Sequence, residues 1–186
     1  LPGNFFNVNS PRGVTFSTPG TGFLVSANAG LATPTLFGFA NDFQTFSAQK
    51  LFTAVNSNVT DVRFFVPGTP TTATTSAFGL VFVDVESPGE TRIDFFDESD
   101  ALIYSHDALV SGNQGLSFLG VTVTDGSISH VRITSGRNTI VSNGVPGNMN
   151  DRLVVMADFL DAEPIRAVPE PSTPAFTNLR FPSSRF

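Results

Sequence analysis

Apolar residues in this chain come in short runs rich in Val, Ile, Phe and Thr, and turn residues cut each run off before a helical repeat can establish itself. The cuts are Thr18-Pro-Gly, Val66-Pro-Gly-Thr, Ser87-Pro-Gly, Asp97-Glu-Ser-Asp, Ser111-Gly-Asn, Thr124-Asp-Gly, Ser135-Gly and Asn143-Gly. Between them the pattern predicts strands over Val14–Ser17, Gly22–Ser26, Lys50–Val55, Thr60–Val66, Ser76–Val85, Thr91–Phe96, Leu102–Ser105, Leu116–Val123, Ile128–Thr134 and Arg152–Leu160. Short strands spaced roughly 8–14 residues apart make an antiparallel sandwich or barrel. The fold expected is an all-β antiparallel β-sandwich of jelly-roll type.

Alternation gives some strands a direction. Val131 and Ile133 fall on one face, with His130, Arg132 and Thr134 on the other. Ser76–Val85 is apolar on both faces, as a strand covered on both sides would be. The expected core includes Phe65, Phe78, Phe82, Phe95, Phe118, Leu119, Val131, Ile133, Val155 and Phe159. Phe occurs 20 times against one Tyr and no Trp, which suits a dry core more than a sugar-stacking surface.

The ends differ from this middle. Residues 1–13 read as an N-terminal arm, 14–163 as the sandwich, and 164–186 as a Pro-rich tail in which Pro164, Pro169, Pro171, Pro174 and Pro182 exclude helix. Phe5 and Phe6 in the arm, and Phe176, Leu179, Phe181 and Phe186 in the tail, are the expected assembly contacts. Such a segment cannot form a core of its own, and ordering it costs about 1–2 kcal/mol per residue. It either folds back on its own domain or adds to a neighbour's sheet edge. A start at Leu1 without Met is what a processed chain would show.

The runs Phe64-Phe-Val-Pro-Gly-Thr, Phe78-Gly-Leu-Val-Phe-Val-Asp-Val, Ile93-Asp-Phe-Phe-Asp, Leu116-Ser-Phe-Leu-Gly-Val, Val131-Arg-Ile-Thr-Ser-Gly and Asp151-Arg-Leu-Val-Val-Met-Ala-Asp-Phe-Leu stand in order. In this the chain resembles secreted bacterial jelly-roll proteins of the PEP-CTERM sorting-signal group, which are largely uncharacterised. Val168-Pro-Glu-Pro-Ser-Thr173 resembles the head of that signal, although no apolar helix follows it here. The resemblance implies export, to the extracellular space or the bacterial cell surface, and no particular reaction.

Chemistry is sparse. With no Cys, disulfides and thiolate sites are excluded. A net charge of −6, with only ten bases spread singly, argues against a nucleic-acid partner. No apolar run approaches the roughly 20 residues of a membrane span. The two histidines, His106 and His130, stand on different elements, and no Gly-x-Ser-x-Gly elbow occurs. Eight of the sixteen acids lie between Asp84 and Asp107, a density that suits a solvated edge better than a carboxylate pair for hydrolysis. Structural Ca2+ is the more credible ion, because it takes hard oxygens from loops; by analogy with related jelly rolls, where such an ion ties an early loop to the end of the final strand, Asn41, Asp42, Asp161 and Glu163 are the candidate ligands. Asn58-Val-Thr60 is the single glycosylation sequon. These observations lead to a non-enzymatic extracellular or cell-surface structural protein, self-associating into a homo-oligomer or polymer. The alternative is a secreted Ca2+-dependent module that binds glycan or extracellular polysaccharide.

Overall fold

A computed structural model of the chain describes residues 1–26, 38, 42–47, 50–124, 128–141, 144–147 and 152–166. All ten expected strands form: β1 (Val14–Ser17), β2 (Gly22–Ser26), β3 (Leu51–Val55), β4 (Val59–Phe64), β5 (Ala77–Val83), β6 (Arg92–Phe96), β7 (Leu102–Asp107), β8 (Leu116–Thr122), β9 (His130–Thr134) and β10 (Val155–Asp161). They make two five-stranded antiparallel sheets, ordered β1-β4-β9-β6-β7 and β2-β3-β10-β5-β8. Setting aside β1 and β2 leaves β4-β9-β6-β7 facing β3-β10-β5-β8, the strand order of an eight-stranded jelly roll. β1 and β2 each widen one sheet by a strand.

The main core fills the space between the sheets. Phe64, Ile93, Phe95, Val131 and Ile133 face inward from the first sheet, and Phe52, Phe78, Leu80, Phe82 and Met156 from the second. A second, smaller core explains why β5 is apolar on both faces. Leu51, Val81, Val83, Val155 and Ala157 point outward from the second sheet and are covered by Phe43, Ile140 and Leu153.

Phe118 departs from the expectation. It is 59% exposed, whereas its neighbour Leu119 packs on the main core. Adjacent residues of a strand point to opposite faces, so only one of the pair can be inside, and β8 pairs Leu119 with Leu80. The Phe118 ring lies across the facing Gly79–Gly120 pair, where a Cβ at Gly120 would stand 2.8 Å from the ring. Phe65 falls just past the end of β4 and is only half-buried.

The N-terminal arm is not extended throughout. It winds one helical turn, α1 (Phe5–Val8), and docks on its own sandwich. The Phe16 amide donates to the Gly3 carbonyl at 2.8 Å, and a Cβ on Gly3 would stand 2.0 Å from the Phe16 oxygen, so only glycine lets the arm lie along β1. Asn7 pins the arm from the other side: its amide donates to the Thr69 carbonyl (2.8 Å), and its oxygen accepts from the Gly68 amide (3.0 Å).

Candidate functional site

The residues singled out from sequence do not converge on one place. Asn41 lies outside the described residues, as do Phe176, Leu179, Phe181 and Phe186. Among the described residues no group of three or more His, Asp or Glu side chains is placed to hold a metal, so Asp42, Asp161 and Glu163 are not gathered into one. Asn58 donates its side-chain amide to the Gly136 carbonyl at 2.6 Å, and Thr60 is buried in β4. Attaching a glycan at Asn58 would disturb that bond. Phe5 and Phe6 face each other edge-on at 5.2 Å, and Phe6 continues onto Phe16 at 5.8 Å, which commits Phe6 to the chain's own core.

The exposed face of the first sheet carries a polar cluster that sequence reasoning half saw. His130 and Arg132 do share a face, and β4 brings Asp61 beside both. Arg132 grips Asp61 with two bonds (2.8 and 3.1 Å), and His130 Nε2 lies 3.0 Å from the same carboxylate. Burial works to raise the pKa of Asp61, but the bonds from Arg132 and His130 outweigh it and hold the carboxyl below its usual range. The same pairing raises the pKa of Arg132. His130 is 6% exposed, with its ring stacked on Phe96 at 4.9 Å. Its Nδ1 stands 3.4 Å from Asp100, which Arg63 holds at 3.3 Å, but makes no hydrogen bond. Among the described residues neither ring nitrogen has a hydroxyl partner, and the cluster ties the β6–β7 hairpin to β4 and β9. Asp97 shapes that hairpin by accepting from Ser99 and the Ala101 amide, bonds that lower its pKa.

A cleft of about 450 Å3 opens at one end of the sandwich. Phe16 from β1, Phe52 from β3, Phe159 from β10 and Phe6 from the arm line it, with Arg12, Lys50, Asp158 and Asp161 among its polar residues. The sequence offered no signal for it, because its walls come from five separated segments.

The third feature is one flank of the sandwich. Among the described residues β7 is the edge of the first sheet and β8 the edge of the second, and each pairs on one side only. Leu102 (58% exposed), Ile103, Tyr104, Leu109 (73%), Val110 and Phe118 all face solvent on these strands and their connection. Neither strand contains Lys or Pro, and β8 carries no charge at all. The Ile103 bulge, between the Phe95–Tyr104 and Phe96–Leu102 pairs, is the one backbone irregularity along β7.

No protein-family model matches the chain, and no curated protein sequence does. Among solved structures, the enzymatically active domain of tailspike protein 4 of bacteriophage CBA120 aligns over 87% of this chain at 13% identity with a TM-score of 0.35. The chain spans 20% of that protein's length. A likeness of that degree assigns this chain neither fold nor activity.

Proposed function

We propose that this domain is a non-catalytic structural module of the extracellular space or cell surface that associates with copies of itself. The observation that carries the reading is the apolar β7–β8 flank. Long, uncharged strand edges are normally blunted by Lys, Pro or a covering loop, because their free N–H and C=O groups recruit another strand. Here the opposite edge is guarded, with the arm lying along β1, while the flank presents Leu109, Val110 and Phe118 to water. Large apolar side chains exposed beside a strand edge mark a contact site. Because β8 has no charge, two copies can pair it antiparallel without repulsion. Phe6 packs on the chain's own core, and the reading adds this flank to the contacts expected of the arm and tail.

Sedimentation velocity across a concentration series tests it. The wild type should associate reversibly, and Leu109→Asp with Phe118→Lys should be monomeric with an unchanged melting temperature. Removal of residues 174–186 separates the flank from the tail as the contact. A wild type that stays monomeric at every concentration would overturn the reading.

A further inference from the structure

The end cleft is a consequence of how β10 is built. β10 pairs with β5 as far as Asp161–Phe78, yet it meets β3 in register only at Met156–Phe52. Between Met156 and Phe159 the strand bulges, with Ala157 and Asp158 together opposite Val81. Past the bulge β3 and β10 part, and the space between the sheets opens to the outside.

The base of the cleft is aromatic. Phe16, Phe52 and Phe159 stand with ring centroids 5.1, 5.3 and 5.5 Å apart, all steeply inclined to one another, and these largely buried rings form the floor of the cleft. The charges around it cancel, with Arg12 and Lys50 against Asp158 and Asp161. Asp161 pairs with Phe78 on the core-facing side of β10, and burial raises its pKa while Arg12 opposes the rise. Arg12 is thus a donor and the Asp161 carboxylate an acceptor at the rim of the cleft.

We propose that this cleft binds a small uncharged amphiphile, with a flat apolar body against Phe16, Phe52 and Phe159 and a polar N–H or O–H group at Arg12 and Asp161. The volume lies in the range of small-molecule sites, and the balanced charges disfavour a net anion or cation. The inference is independent of self-association and would survive its failure.

The probe is the neutral dye N-phenyl-1-naphthylamine, titrated by fluorescence. The expected result is saturable binding at one site per chain, weakened at least tenfold in Val25→Trp, which fills the cleft from a partly exposed position. Phe118→Lys, on the far flank, should bind as the wild type does. The anionic 8-anilinonaphthalene-1-sulfonate should bind at least tenfold more weakly than the neutral dye. Should Val25→Trp misfold, dye-induced amide shifts in the wild type decide: they should centre on Phe16, Phe52 and Phe159. Absence of saturable binding, shifts centred on β7 and β8, or equal affinity of both dyes would each overturn the proposal.

Discussion

Phe95 on β6 has no exposed surface, and its ring meets Phe78 of the opposite sheet at 6.5 Å and Tyr104 of the adjacent strand at 6.2 Å. Truncation to Ala removes the ring from a site ringed by Ile93, Val131 and Phe78, strand-held residues that cannot easily move in to refill it. Phe→Ala in such a core costs about 3–5 kcal/mol, and the lost ring pairs, worth about 0.5–1.5 kcal/mol each, favour the upper half of that range. With a urea slope of about 2.5 kcal/mol per molar, a loss of about 4 kcal/mol lowers the unfolding midpoint by about 1.6 M. Equilibrium urea denaturation followed by far-ultraviolet circular dichroism reads this directly. Phe118→Ala is the matched control: the same atoms leave a surface ring, and the cost should stay below about 1 kcal/mol. A Phe95→Ala midpoint within about 0.5 M of wild type at unchanged slope would refute the packing argument, as would a Phe118→Ala loss of equal size.

Asp61→Ala removes the carboxylate shared by Arg132 and His130 and should cost about 1.5–3 kcal/mol, measured by denaturation at neutral pH. Because the folded pKa of Asp61 is lowered, its contribution is present above the ordinary carboxylate pKa near 3.8 and is lost as pH falls through the folded value. The variant's deficit should therefore shrink in acid, and a deficit constant with pH would contradict this. Asp161 has the opposite sign: its raised pKa gives a contribution present below about 3.8 and lost as pH rises through the folded value. Asp161→Asn should accordingly raise the melting temperature at pH 7 and leave it unchanged near pH 3. Gly120→Val should displace the Phe118 ring and weaken β5–β8 pairing, visible as faster amide exchange at Leu119 and Val121.

The strands were legible because each is a short β-branched or aromatic run closed by a turn that only a few residue types make, and both signals are local. The shared face of His130 and Arg132 was legible for the same reason, through a period of two. Asp61 was not, since it joins them from 69 residues away through pairing of β4 with β9. Its own alternation with Arg63 was the available hint. Phe118 and Leu119 show where composition misleads: both are large and apolar, and strand geometry admits one of them. The cleft left no trace because it arises from an extra residue in β10, and a bulge is a property of a strand pair.

The order in which the strands are made has a consequence for when the domain can exist. β9 and β10 are the last of the described strands, yet each occupies the middle of a sheet, β9 between β4 and β6 and β10 between β3 and β5. A nascent chain ending before His130 holds β1 with β4, β6 with β7, β2 with β3 and β5 with β8, four pairs with nothing to join them. Both edges of the sandwich are then already synthesised and both centres are missing. Folding of the sandwich must wait for β9 and β10, and its rate is governed by the closure of long loops around them. Until those two strands arrive, the Phe-rich faces of all four pairs stand open, and it is in that interval that the chain is most exposed to proteases and to pairing with the wrong partner.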